Sequence, residues 1–184
     1  MKRSRRWMPH TLGALFSALL LGCPAEDPDP LLAEAAAAEA RVRGQPTPAL
    51  VQLLEDESGA GSVSFTAAVE LSRRGAEALP ALLDGLRSDR EPIRMGCASA
   101  LGVMRDPRPA EAIPHLTALL SDPSGRVRGR AAWALGEIGL PDATAIAALT
   151  SAASASDPAS TEAARHARES LEKIAGRRAK QNRD

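Results

Sequence analysis

Apolar residues recur along most of this chain with helical spacing, and the pattern repeats itself. Four segments align on a shared leucine, and successive leucines lie 30, 34 and 36 residues apart. These leucines are Leu71, Leu101, Leu135 and Leu171. A period of this length accommodates two short helices with their turns. The pattern therefore predicts an array of helix pairs.

A second set of segments supplies the other helix of each pair. These segments are 47–54, 79–86, 113–120 and 146–153. Their apolar residues fall at i, i+3 and i+7, on one face of a helix. Asp-Pro pairs at 29–30, 122–123 and 157–158 predict helix starts, with Asp as the N-cap and Pro at the first helical position. Gly75 and Gly139 predict helix ends.

Small residues occupy equivalent positions in the first helix of each pair, where they allow adjacent helices to approach closely. They are Ala67, Ala68, Cys97, Ala98, Ala131 and Ala132. Each helix pair is too small to bury its apolar face alone, so neighbouring pairs must stack around a continuous core. Cys97 is therefore predicted to be a small core residue rather than a reactive thiol. Trp133 is predicted to fill a gap between layers.

The third repeat carries a specific family resemblance. The segment Arg130–Gly139 has the sequence RAAWALGEIG and is preceded by Asp122 and the pair Val127-Arg128. This arrangement resembles the HEAT-like repeats of phycobilisome bilin lyases. The resemblance covers residues 46–175 and is strongest in the third repeat.

The resemblance implies an all-α fold, a right-handed α-solenoid of about four HEAT-like helix pairs over residues 30–176. Residues 31–43 would form a degenerate leading helix. In this family, an Asp at the turn between repeats and an Arg of the first helix form a structural ladder. The matching residues here are Asp89 with Arg94 and Asp122 with Arg128, while Ser64 stands in place of the Arg in the first repeat.

The first 22 residues have the layout of a bacterial signal peptide. Residues 1–10 carry four basic side chains, and residues 11–21 form an apolar run that is too short to span a bilayer. The sequence Leu20-Leu21-Gly22-Cys23 that follows resembles the lipobox of bacterial lipoproteins. The resemblance implies that Cys23 carries lipid, including chains such as palmitate, and is the first residue of the mature protein.

Residues 23–29 are rich in Pro and acidic residues and are predicted to tether the lipid to the repeat domain. The alternatives are an ordinary cleaved signal or an uncleaved anchor in which Cys23 is incidental. Residues 4–8 also loosely resemble a twin-arginine export signal. The lipoprotein interpretation predicts a bacterial cell-envelope protein, held by its lipid at a membrane, with the periplasmic face of the outer membrane favoured.

The charge balance depends on this processing. The full chain of 184 residues has 23 basic and 23 acidic side chains. Removal of residues 1–22 leaves 19 basic and 23 acidic side chains, a formal charge of −4. An acidic chain with 2% aromatic residues lacks the basic excess and the stacking platforms typical of nucleic-acid binding, so no nucleic-acid partner is expected.

Residues suited to catalysis or metal binding are sparse. His115 and His166 follow Cys23, and neither has a Cys, His or carboxylate at zinc spacing. The paired His-Glu dipeptides of HEAT-type hydroxylases do not occur in the sequence, nor does a G-x-S-x-G motif or a phosphate-binding glycine loop. The sequence therefore predicts no metal, no cofactor and no enzymatic activity.

Binding residues are expected on the second helices, which line the concave face in the HEAT arrangement. The side chains outside the core there are small or mildly polar, with no single charge sign. The candidates are Gln52, Glu55, Asp84, Arg87, His115, Ser121 and Ser151. Among them, His115 is the residue whose charge can change near neutral pH.

The C-terminal residues 177–184 form a basic tail with Arg177, Arg178, Lys180 and Arg183. A helix dipole favours cations at this end, which accounts for the composition of the tail as a frayed helix terminus. Weak attachment to an anionic envelope surface is the alternative interpretation.

These observations predict a monomeric, membrane-anchored scaffold that mediates protein-protein interaction in the bacterial cell envelope, with another envelope protein as its partner. The alternative, implied by the family resemblance, is a lyase-like or chaperone-like protein that acts on a cofactor-bearing partner.

Overall fold

The computed structural model describes residues 29–56, 62–105, 107–139, 142–155 and 160–181. Within these ranges the chain forms nine α-helices and no strand. The helices are α1 Pro30–Val42, α2 Thr47–Leu53, α3 Ser62–Arg74, α4 Leu79–Gly85, α5 Glu91–Val103, α6 Ile113–Ala118, α7 Gly125–Ile138, α8 Ala143–Ala153 and α9 Thr161–Gln181. Short 3-10 turns lie at Gly75–Glu77, Ala110–Ala112 and Leu119–Ser121. The predicted signal peptide and Cys23 lie outside the described residues.

The helices stack in two layers, which confirms the predicted all-α solenoid. The first helices α1, α3, α5, α7 and α9 pack side by side in chain order. The second helices α2, α4, α6 and α8 form the other layer, and each packs against the first helix of the next pair. Four helix pairs are therefore followed by α9, which closes the described part of the array.

One leucine from each helix of the central array forms the core between the layers. Seven leucines are fully buried: Leu50, Leu71, Leu82, Leu101, Leu116, Leu135 and Leu149. Leu171, their equivalent in α9, is only half-buried because no further repeat in the described chain covers it. The small residues predicted to separate neighbouring helices, such as Ala67, Cys97 and Ala131, are also buried in this core.

The helix boundaries follow the predicted signals at three of the four places that the structure describes. Asp29 caps α1 by accepting a hydrogen bond from the Leu31 amide, and Pro30 occupies the first helical turn. Gly75 and Gly139 both have left-handed backbone conformations, with φ of 55° and 71°, at the predicted helix ends.

The predicted N-cap at Asp122 was wrong. The cap of α7 is Ser124, whose hydroxyl accepts from the Val127 amide, and the helix begins at Gly125. The Asp122 carboxylate instead accepts from the Ser124 amide and binds an arginine of the preceding pair. The Asp157-Pro158 signal lies outside the described residues.

The basic C-terminal segment continues a helix as far as the structure describes it. α9 extends past residue 176, where the sequence places the end of the repeat domain, to Gln181. Arg177 donates hydrogen bonds to the carbonyls of Gly136 and Glu137, at 2.9 and 3.0 Å. These carbonyls belong to the last turn of α7, so Arg177 satisfies backbone acceptors that the helix leaves open.

Candidate functional site

The second helices carry the predicted binding residues along one side of the array. Gln52 lies on α2, Asp84 on α4, His115 on α6 and Ser151 on α8. Three of these side chains are exposed and His115 is half-buried. Each second helix therefore contributes at least one accessible polar residue. These four residues are called the polar strip.

Arg87 lies near two members of the polar strip, Asp84 and His115. An Arg87 guanidinium nitrogen lies 3.9 Å from the Asp84 carboxylate, and another lies 3.5 Å from Nδ1 of His115. Arginine can only donate, so this contact requires Nδ1 of His115 to act as an acceptor on a neutral ring. Asp84, Arg87 and His115 therefore form one small polar cluster on the accessible side of α4 and α6.

The other predicted residues lie at the ends of the second helices. Glu55 follows α2 and forms an ion pair with Arg90, which precedes α5. Ser121 ends the 3-10 turn after α6 and is exposed. Ser121 and Ser151 share a cavity of about 370 Å³. The structure thus divides the seven candidates into an Asp84, Arg87 and His115 cluster, a serine-lined cavity, and the separate residues Gln52 and Glu55.

The serine-lined cavity lies where the end of the third helix pair, the fourth pair and the start of α9 meet. Its lining is Leu120, Ser121, Arg128, Ala148, Ser151, Ala152, Ala155, Ser160 and Ala163. Arg128 donates to the Ser160 hydroxyl at 2.9 Å and to the carbonyls of Asp122 and Pro123. The guanidinium of Arg128 therefore connects adjacent repeats. The rest of the cavity is lined mainly by alanine and serine side chains, which do not define one class of ligand.

The ladder residues do connect repeats, but the pairing of Asp and Arg side chains differs from the one expected from the sequence. Arg94 binds the carboxylate of Asp122, in the next helix pair, and contacts Asp89 only through its backbone carbonyl. Arg128 likewise contacts Asp122 through the carbonyl and reaches forward to Ser160. Each arginine therefore spans from its own turn to the next repeat. Hydrogen bonding to Asp122 raises the pKa of Arg94 above its ordinary value.

An apolar groove, not predicted from the sequence, lies on the outer side of the first helices. The groove has a volume of about 360 Å³ and is lined mainly by side chains of α3, α5 and α7. Its principal apolar residues are Phe65, Val69, Met95, Val103 and Trp133. We call it the outer groove. The sequence does contain an indication of this groove. Phe65 and Val69 are spaced i, i+4, on a face of α3 that does not point into the core.

Trp133 has two roles in the structure. On one side its ring packs against Gly102 of α5, where a side chain would collide with the ring, so Trp133 fills a gap between helices as predicted. Its ring also borders the outer groove. The guanidinium of Arg130 lies 5.4 Å from the ring centroid in a cation–π contact. Arg130 therefore places a positive charge beside the groove.

Potential catalytic groups are dispersed or buried. In the described ranges, no three His, Cys, Asp or Glu side chains are grouped so that they could hold a metal ion. His166 lies near Glu162 and Glu169 of its own helix, at 3.7 and 3.3 Å. Burial raises the pKa of the free Cys97 thiol to about 12, which keeps the thiol protonated and unreactive at neutral pH. Cys97 is thus confirmed as a core residue.

No described helix has both the length and the apolar character needed to cross a bilayer.

The stacked pairs, the leucine core and the arginine contacts between repeats define a helical-repeat solenoid protein. The chain belongs to the HEAT-repeat family, because the family model described as HEAT repeats matches residues 17–102 and 92–172. The first match begins inside the segment that the sequence assigns to the signal peptide. No curated protein matches the sequence.

A solved structure agrees with this fold. The chain is similar to human deoxyhypusine hydroxylase, whose structure was determined in complex with glycerol, with 28% sequence identity and a TM-score of 0.51. The similarity covers 71% of this chain and 44% of the hydroxylase. The matched region therefore spans less than half of the length of that enzyme.

Proposed function

We propose that this protein is a lipid-anchored HEAT-repeat scaffold that binds another protein in the bacterial cell envelope. The observation that carries the proposal is the polar strip, to which every second helix contributes an accessible polar side chain. A row of side chains from successive repeats suits an extended protein partner, because solenoids bind along their length.

The charges on and beside the strip favour a protein partner over a uniformly charged ligand. Asp84 of the strip and the neighbouring Arg87 are highly exposed and have opposite signs. The strip ends at Ser151, and Ser121 lies in the same cavity; both hydroxyls can donate and accept hydrogen bonds. Mixed charges and hydroxyls can pair with backbone and side-chain groups of a partner, which gives specificity rather than high affinity.

The lipid anchor is supported by the spacing between Cys23 and the repeat domain. The N-cap Asp29 lies six positions after Cys23, and a fully extended chain over that distance spans at most about 20 Å. A short tether would hold α1 near the membrane surface while leaving the polar strip accessible. No specific observation favours the lyase-like or chaperone-like alternative.

Metabolic labelling tests the anchor. The full chain is expressed in a bacterium with an alkyne analogue of palmitate, as the wild type, Cys23→Ala and Cys97→Ala. The chain contains two cysteines, so Cys97→Ala is the matched control, and alanine occupies the equivalent positions 67 and 131. We expect label and membrane attachment in the wild type and Cys97→Ala and neither in Cys23→Ala. Label that persists in Cys23→Ala, or wild-type protein in the cytoplasm, would contradict the anchor.

Site-specific photocrosslinking tests the polar strip. A photoreactive amino acid is placed in cells at Asp84, at Ser151, or at Arg168, an exposed residue of α9 that lies outside the strip. We expect Asp84 and Ser151 to capture the same protein and Arg168 to capture none of it. Unrelated products from the two strip positions, or the same product from Arg168, would rule out the strip as a partner surface.

A further inference from the structure

The start of α1 projects from the array. All residues from Pro30 to Ala37 are exposed, and the buried residues of α1 are Ala38 and Val42 near its other end. Leu31 and Leu32 lie on this projecting part, with exposed fractions of 72% and 68%. Two adjacent leucines on an otherwise uncovered helix end form an apolar surface that water solvates poorly.

The outer groove is the second place where large apolar side chains meet solvent. Phe65 is 71% exposed and Val69 is 37% exposed. In the described residues, the exposed large hydrophobic side chains are Leu31, Leu32, Phe65 and Val69, so they occur only at these two places. One place protrudes and the other is recessed. The volume of the groove falls in the range of about 300–1,000 Å³ that binding pockets commonly have.

Each of the two places also carries one charge of opposite sign. Glu34 follows Leu31 by about one helical turn and is exposed. Arg130 lies beside the groove, stacked on Trp133. Neither Glu34 nor Arg130 forms an ion pair with another side chain of the described chain. The projecting helix end and the outer groove therefore share an apolar character and carry opposite charges.

We propose that the outer groove of one copy of this protein binds the projecting start of α1 from a second copy. Leu31 and Leu32 pack against Phe65, Val69 and Trp133, and Glu34 faces Arg130. This replaces the monomer expected from the sequence. Each copy supplies one helix end and one groove, so reciprocal exchange closes a two-fold symmetric dimer, whereas one-way exchange extends a chain.

The interface is small, so association depends on local concentration. A few apolar side chains and one exposed charge pair give a weak contact in dilute solution. Confinement of two copies to a surface raises their effective concentration and so strengthens the same contact. The proposal is separate from the polar strip and does not depend on which protein binds there.

Crosslinking between two tagged copies tests the proposal in cells. Full-length chains with two different tags are co-expressed, and a photoreactive amino acid replaces Val69 in one of them. We expect a covalent product that carries both tags, with the captured peptide mapping to residues 30–37. A product that joins Val69 only to another protein or to lipid, or a captured peptide outside 30–37, would overturn the proposal.

Charge reversal separates a direct contact from a folding defect. We expect Glu34→Arg to lower the two-tag product several-fold when present in both copies, and Arg130→Glu to do the same. Combining the two reversals should restore the product, because the pair regains opposite charges. Glu172→Arg, at an exposed position of α9, is the control and should leave the yield unchanged.

Loss of the product in the single reversals without recovery in the double reversal would rule out the Glu34–Arg130 contact. Replacement of both Leu31 and Leu32 by Ser removes the apolar contact at positions that are already exposed, so the fold should persist. A yield that is unaffected by this double change would overturn the proposal. The readout is the pairing of tags, so it remains informative even if labelling shows that Cys23 carries no lipid.

Discussion

Arg94 of α5 binds Asp122 of the next repeat through two hydrogen bonds, Nε to Oδ2 at 2.8 Å and Nη2 to Oδ1 at 3.1 Å. The exposed fractions of the two side chains are 12% and 4%. The remaining Nη1 donates to the carbonyls of Ser88 and Asp89. One guanidinium thus joins the turn before α5 to the turn before α7, which aligns two neighbouring helix pairs.

Removal of the Asp122 carboxylate should destabilise the array strongly. In Asp122→Ala, the guanidinium of Arg94 stays largely buried without its anionic partner, and the Ser124 amide also loses its acceptor. Leaving one partner of a buried pair uncompensated costs about 3–5 kcal/mol. Urea denaturation monitored by circular dichroism measures the change in unfolding free energy.

Asp89→Ala is the matched control for Asp122→Ala, because the hydrogen bond from Arg94 to Asp89 goes to the backbone carbonyl and the Asp89 carboxylate is the smallest charge contribution at Arg94. Its effect should be within about 0.5 kcal/mol, as for an ordinary surface substitution. Equal losses in the two variants would contradict the register seen in the structure and favour the pairing of Asp89 with Arg94 expected from the sequence.

This register could not have been derived from the sequence. Asp89 lies five residues before Arg94, whereas Asp122 lies 28 residues after it, and only the stacking of pairs brings Asp122 close. The same contact explains why Asp122 does not cap α7: its carboxylate is occupied by Arg94 and the Ser124 amide, and Ser124 supplies the cap. By contrast, the helix pairs and the buried leucines followed directly from the apolar spacing, because one face of each helix forms the core.

The outer groove was missed for a different reason. Phe65 and Val69 were part of a segment whose core positions, Val63, Ala67 and Leu71, already explained its apolar content. Phe65 alone, exposed beside the core face of α3, does not indicate a groove. The groove is recognised only in the structure, where α5 and α7 place Met95 and Trp133 next to Phe65. The groove is a product of three helices that are distant in sequence.

Burial of Cys97 should make the free energy of unfolding decrease as the pH becomes alkaline. The folded protein raises the pKa of this thiol from 9.0 to about 12, because burial disfavours the thiolate. The unfolded chain releases the proton at lower pH, so the stabilisation is complete below pH 9 and is lost as pH rises from 9 toward 12. Thermal melts between pH 8 and about 10.5 should show a steeper decline for wild type than for Cys97→Ala.

The comparison with Cys97→Ala isolates the thiol, because every other titrating group is common to both proteins. Parallel slopes for the two proteins would indicate that the thiol ionises in the folded state as readily as in the unfolded chain.

Gly102 should not tolerate even a methyl group. A Cβ at this position would collide with the ring of Trp133, which is held between α5 and α7. Overpacking of this kind costs about 1–3 kcal/mol, so Gly102→Ala should lower the unfolding free energy although alanine favours helices. Trp133 fluorescence should shift in the same variant, since its ring must move.

Gly176→Ala is the opposite case within the same protein. Gly176 is an exposed residue inside α9, and nothing lies within 4 Å of the position that a Cβ would take there. Alanine should therefore stabilise the helix by about 0.5–1 kcal/mol, the difference in intrinsic propensity. If Gly102→Ala stabilised the protein as Gly176→Ala does, the close packing of Trp133 on Gly102 would be contradicted.

The basic C-terminal segment should contribute to folding through one of its cations. Arg177 lies against the end of α7 and donates to the Gly136 and Glu137 carbonyls, whereas Lys180 is exposed on the last described turn of α9. Loss of charged hydrogen bonds to partly buried acceptors costs about 1–2 kcal/mol, so Arg177→Ala should lower the midpoint of urea denaturation. Lys180→Ala should leave the midpoint almost unchanged, since it removes charge without removing these contacts.

If instead the segment served only as a cationic surface, the two variants would have equal, negligible effects on stability and equal effects on binding to anionic vesicles. Measurement of both properties for both variants therefore distinguishes a helix-capping role from electrostatic attachment.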